Sequence, residues 1–142
     1  MDDLLKNLTA CLRDQEEAMC DALKRLVLIP SGTYNKAGVD KVCRAVCDLL
    51  DPLSLERRIL PQENYGDMLM ASTTAGGDDR RILLAGHMDT IFPEDSSFNG
   101  WRTDEDHFYG PGVIDMKGGL IVGIFALKAL AALGLLKDLP VT

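Results

Sequence analysis

The run Arg81-Ile82-Leu83-Leu84-Ala85 constrains the fold more than any other stretch, because its four consecutive apolar residues leave no polar face. An alternating strand can lie on a surface, but a continuous apolar strand expects cover on both sides. Helical patterns occur before and after this run, so the expected class is α/β. The expected architecture is a three-layer sheet with helices on both faces.

The helical patterns are specific. From Asp2 to about Leu26, Leu5, Leu8, Leu12, Met19, Leu23 and Leu26 recur at helical spacing around a charged DQEE patch, which predicts one long surface helix. Ile29-Pro30 and Ser31-Gly32 end it, since proline restricts the residue before it. Val39, Val42, Cys43, Val46, Leu49 and Leu50 then share one face of a second helix, which Asp51-Pro52 terminates. Shorter segments follow at 54–60, 67–73 and 81–85, punctuated by Gly66 and by Gly76, Gly77, Asp78 and Asp79 as turns. Residues 91–112 read as a loop over the sheet edge with one short strand, pinned by Trp101, Phe108 and Tyr109. Gly118 or Gly119 opens an apolar helix, LIVGIFALKALAALG, expected to be buried on most sides and ended by Gly134. The closing LLKDLPVT reads as a turn into a further strand.

Composition narrows the function. Fifteen basic and 22 acidic residues give a formal charge of −7, which argues against nucleic-acid or anionic-membrane partners. A small substrate is not excluded, because a bound cation reverses the sign locally. No window approaches 18 uninterrupted apolar residues and the amino-terminal stretch lacks the pattern of a secretory signal, so the expectation is a cytoplasmic protein. Cys11, Cys20, Cys43 and Cys47 are then expected as reduced thiols. Cys43 and Cys47 lack the spacing and histidine partners of a zinc knuckle.

Two segments carry residue types suited to chemistry. GHMDT follows the apolar run, and in an extended continuation His87 and Asp89 point the same way. The carboxyl end of a strand is where open α/β sheets bind ligands. His87 can offer one ring nitrogen to a metal while Asp89 accepts a hydrogen bond from the other. Equally, the pair alone fits a satisfied histidine in a turn, with Asp89 as a cap or a ligand. In GPGVIDMKGG the glycines permit close backbone approach, and Asp115 stands just before a helix. That stretch has neither phosphate-loop pattern, and Asp115 would repel a phosphate. Taken together, one imidazole and two carboxylates suit a divalent ion, zinc first among the candidates. Asp115 is the natural bridge in a pair of ions about 3.5 to 4 Å apart. His107, in DEDHFYG, is expected to be exposed or locally hydrogen-bonded.

The stretches IPSGT (29–33), ILLAGHMDT (82–90) and FYGPGVIDMKGGL (108–120) resemble the amino-terminal part of the catalytic domain of M20 metallopeptidases. That family includes glutamate carboxypeptidases, acetylornithine and succinyl-diaminopimelate deacylases and aminoacylases. The resemblance implies a zinc-peptidase-like fold with two Zn²⁺ per complete site, Co²⁺ or Mn²⁺ being substitutes. It makes His87 a metal ligand, Asp89 the supporting catalytic aspartate and Asp115 the bridging ligand, with a cis bond after Asp115. It also implies amide or peptide hydrolysis of a small peptide or N-acyl amino acid, with the glutamate carboxypeptidase-like wording favoured over deacylation.

Such enzymes further use a general-base glutamate, more acidic ligands, a last histidine and an inserted dimerisation domain. After Asp115 the chain has only Asp138 as a carboxylate and no histidine. The expectation is therefore an apparently truncated catalytic domain over residues 1–142, inactive in isolation and homodimeric at full length. A catalytically inactive interaction or regulatory protein is the alternative from a different class.

Overall fold

The computed structural model describes residues 2–75 and 80–142, so the turn expected at Gly76, Gly77, Asp78 and Asp79 lies outside the described residues. Helices α1 (Asp2–Arg13), α2 (Glu16–Val27) and α3 (Lys36–Leu50) come first, followed by strands β1 (Glu56–Leu60) and β2 (Met68–Ser72). The short strands β3 (Arg102–Thr103) and β4 (Phe108–Tyr109) and helix α4 (Gly118–Ala132) complete a mixed α/β structure.

The single long amino-terminal helix is corrected to two. At the break the Gln15 amide bonds Leu12 O at 3.1 Å, three residues back, while its side chain occupies Cys11 O at 3.0 Å. The ladder restarts where Met19 N reaches Gln15 O. Glu16 and Glu17 then place negative charge on the first turn of α2, where a new helix start favours it. Helix α3 begins three residues earlier than its apolar face, because Asn35 caps it by accepting from Gly38 N at 3.0 Å.

One core joins the helices. Leu23, Leu26 and Val27 of α2 meet Val42, Ala45, Val46 and Leu50 of α3 and Ile121, Ile124 and Phe125 of α4. Helix α4 packs against α1 and α2, but it is buried along one face only, with Val122 62% exposed. The expectation of burial on most sides is corrected accordingly. Gly134, at φ 71°, ends the helical segment as expected.

Strands β1 and β2 form an antiparallel hairpin with Glu56 opposite Ser72 and Leu60 opposite Met68. β3 and β4 form a second, two-residue pair in which Trp101 stacks on Phe108 at 5.0 Å and Arg102 covers the Tyr109 ring. Of the aromatic residues expected to pin the 91–112 loop, Trp101 and Phe108 thus stack on each other, Tyr109 lies under Arg102, and Trp101 also packs on the core.

Residues 82–86 do not form the doubly covered strand expected of them. Ile82, Leu83 and Leu84 are extended but 52%, 71% and 53% exposed, and Ile82 makes only an isolated parallel bridge to Val141. The reason lies in the neighbours. Residues 140–142 supply three hydrogen bonds to Ile82 and Leu84, and Thr73 N in turn bonds Val141 O. A cleft of about 450 Å³ separates Leu83–Gly86 from β2 and α4. Among the described residues no helix is long and apolar enough to cross a membrane.

Candidate active site

The first half of the site is built by pairing two loops. Thr90 N bonds Ser31 O at 2.8 Å and Thr33 N bonds Thr90 O at 3.0 Å, around a parallel bridge between Gly32 and Thr90. Gly32 is required there, because a Cβ would stand 2.7 Å from the Phe92 carbonyl oxygen. The side chains of His87 and Asp89, two residues apart, come together. His87 Nδ1 lies 3.1 Å from Asp89 Oδ1 and equally close to the Asp89 carbonyl oxygen. The other carboxylate oxygen of Asp89 accepts from Thr33 Oγ1 at 2.6 Å.

The second half is the loop 110–117. Gly112 takes a left-handed φ of 81°, and a Cβ on it would press within 2.9 Å of Thr90 Cγ2 and 3.0 Å of Lys117 Cδ. Lys117 N closes the turn onto Gly112 O at 2.7 Å. The Lys117 side chain is fully buried, and its ammonium donates to Leu26 O and Ile29 O, each at 2.9 Å. Burial lowers its pKa from the ordinary 10.5 to about 8. The loop is thereby tied to the carbonyl end of α2, where positive charge is favoured. Asp115 and Met116 leave helical geometry, and their peptide bond is cis.

These two halves bring together the residues singled out in the sequence. His87 Nε2 stands 2.9 Å from Asp115 Oδ1 across 28 residues of chain, and Asp89 holds the opposite ring nitrogen. Burial alone would lower the His87 pKa. The hydrogen bonds to Asp115 and to the Asp89 backbone, with the charges of both carboxylates, outweigh it and raise the pKa above its ordinary value. Asp115 is 74% exposed, so its carboxylate remains accessible. A recess of about 350 Å³ opens beside His87 and Asp89, and one of about 290 Å³, lined by Phe92, Phe98 and Phe108, opens beside Asp115.

Other candidates stay apart. His107 is exposed and pairs locally with Asp104 at 3.3 Å, and Asp138 lies in an exposed turn. All four cysteines are free, and burial pushes the Cys43 thiol up to about 11. Among the described residues no group of three or more His, Cys, Asp or Glu is placed to hold a metal, and His87 and Asp115 stand together as a pair. Sequence reasoning missed Thr33 and Lys117 as neighbours of the site. Both lie within the stretches that carry the family resemblance, but neither hydrogen bond follows from residue type or spacing.

Known proteins resemble this chain over part or most of its length. Residues 83–142 match Peptidase family M20/M25/M40, a segment that contains His87, Asp89 and Asp115. The chain is 29% identical over 124 residues to carboxypeptidase G2 from Pseudomonas sp. (strain RS-16), covering 85% of this chain and 30% of that protein. It is 29% identical over 102 residues to a probable succinyl-diaminopimelate desuccinylase from Staphylococcus aureus (strain MRSA252), covering 67% of this chain and 24% of the relative. Its fold matches that of the di-peptidase Dug1p from Saccharomyces cerevisiae at a TM-score of 0.74 and 16% identity, over 92% of this chain and 32% of that one. The chain thus spans about a third or less of the length of each of these proteins. Over residues 83–142, a segment that includes His87, Asp89 and Asp115, this chain is similar to the M20 peptidases.

Proposed function

We propose that this chain contributes part of the catalytic centre of a zinc-dependent amide or peptide hydrolase, of the carboxypeptidase or dipeptidase type. The observation that carries the reading is the approach of His87 Nε2 to Asp115 Oδ1, 2.9 Å apart, with the other ring nitrogen held by Asp89. An imidazole nitrogen beside an accessible carboxylate is a donor set that fits a borderline divalent ion. His87 and Asp115 would hold it, the latter shared with a second ion. Such ions, when bound, polarise a carbonyl and lower the pKa of bound water.

The chain's own residues divide the remaining work. Asp89 fixes the ring of His87 so that Nε2 faces Asp115, and Lys117 anchors the Asp115 loop to α2. The recess beside Asp115 gives a small peptide or N-acyl amino acid a place to lie, and among the described residues of its lining Tyr109 is the one ionisable group besides Asp115. Two donor residues do not close such a site, so the general base and the further ligands come from outside residues 1–142. Residues 1–142 accordingly act as the amino-terminal part of a larger, cytoplasmic catalytic domain whose central sheet lies between helical layers. Similarity to a probable desuccinylase supports N-acyl-amino-acid deacylation as a second reading.

The test is metal content and hydrolysis of a panel of dipeptides and N-acyl amino acids by the full-length product, with and without Asp115→Asn. We expect the substitution to lower zinc occupancy and abolish hydrolysis while leaving the unfolding transition in place. Two retained zinc ions and an undiminished rate would overturn the assignment of Asp115.

A further inference from the structure

We propose that Thr33 is a positioning residue of this site, acting on His87 through Asp89; the inference deepens the metal-hydrolase reading and, for its effect on zinc, rests on it. Thr33 Oγ1 lies 2.6 Å from Asp89 Oδ2 and 3.3 Å from Thr90 O. A hydroxyl has one proton, and the shorter contact to a charged acceptor takes it. Asp89 is then held at both oxygens, by Thr33 at Oδ2 and by the His87 ring at Oδ1.

The carboxylate needs this second hold. Asp89 is 30% exposed on its side chain, so on its own it could rotate toward solvent and release the ring. Thr33 does not share that freedom. Its own backbone amide bonds Thr90 O at 3.0 Å, and the adjoining Gly32 is locked against residues 90–93 by the bridge to Thr90 and the close Phe92 carbonyl. The hydroxyl therefore reaches the carboxylate from a separate loop, 56 residues away in sequence, whose register is set by main-chain bonds. Water could replace the hydrogen bond but not the fixed position. The result is a chain of contacts, Thr33 to Asp89 to His87 to Asp115, in which each side chain limits the rotation of the next. This is the outer-sphere support that metal-bound histidines require.

The experiment compares wild type with Thr33→Val, which keeps the shape and loses the hydroxyl, and Thr33→Ser, which keeps the hydroxyl and loses the methyl. The ring-nitrogen NMR signals of His87 are recorded on the metal-free protein, and zinc affinity is measured by chelator competition on the full-length product. We expect Thr33→Val to shift the His87 ring nitrogens toward the values of a free histidine and to weaken zinc about ten-fold, the lower range for outer-sphere partners. Thr33→Ser should match wild type in both. Unchanged ring signals in Thr33→Val, or a larger change in Thr33→Ser than in Thr33→Val, would overturn the assignment; the latter would mean that methyl packing is what matters. Absence of zinc binding by wild type would sink the metal reading instead, and the ring-nitrogen comparison would still decide the role of Thr33.

Discussion

Helix α4 and the extended segment 82–86 are the two most apolar stretches of the chain, yet only the helix finds cover. Ile121, Ile124, Phe125 and Ala129 are at most 6% exposed, whereas Ile82, Leu83 and Leu84 are all more than half exposed. A helix satisfies its backbone internally and needs a partner for one stripe alone, which α1 and α2 provide. An extended segment needs neighbours on both edges and both faces, and residues 82–86 have residues 140–142 on one edge and a cleft beside them. Apolar character therefore sets a demand for cover, and the surrounding elements decide whether it is met.

The sharpest way to break this contrast is a matched pair of truncations at its two ends. Leu26→Ala, at a fully buried α2 position in the core shared with α4, should cost about 2–5 kcal/mol in urea unfolding. If it cost no more than a surface change, the helical core would not be the stable part. Next in size is Lys117→Met, which keeps the buried stem but leaves the carbonyls of Leu26 and Ile29 without their donor. A loss of about 1–3 kcal/mol is expected in the same measurement. Stability equal to wild type would show that the desolvation cost of the amine cancels its two bonds.

A smaller effect concerns the join between the helical core and the hairpin. Asp67 precedes β2 and accepts from Lys36 at the start of α3 and from Gln62 N. The hydrogen bond from Lys36, then that from Gln62, holds its pKa below the ordinary 3.8. A depressed carboxylate contributes stability that is complete above the unfolded value and is lost as pH falls through the folded one. Wild type should therefore lose stability below about pH 3.8 more steeply than Asp67→Asn, as followed by thermal unfolding across an acid series. Parallel curves would remove the tether. The smallest effect is Leu83→Ala in the 142-residue chain, expected within about 0.5 kcal/mol of wild type because the side chain is 71% exposed there. A cost near that of Leu26→Ala would erase the contrast.

Much of this was legible in the residues, for reasons that differ by element. Helix α3 was readable because its apolar offsets match one face and Asp51-Pro52 stops it. The break between α1 and α2 was not, because the apolar period runs through it and the decisive contact is the Gln15 side chain folding back onto Cys11. At the site, the pairing of His87 with Asp89 could be anticipated from a two-residue spacing on extended chain. Its approach to Asp115 was expected on chemical grounds and family resemblance rather than on any local pattern.

By itself the sequence determined helices α3 and α4, the turn chemistry around Gly112 and Gly134, and which side chains are candidates for holding a metal. Those depend on short-range sterics and on side-chain chemistry, which residue order carries directly. Only the tertiary structure decided which apolar segments are covered, that an amine from the Asp115 loop is buried against the end of α2, and that Thr33 meets Asp89 across 56 residues. Contacts of that kind exist only once loops far apart in the chain have been brought into register by main-chain hydrogen bonds. Their geometry is a property of the packed assembly and of no single stretch of it.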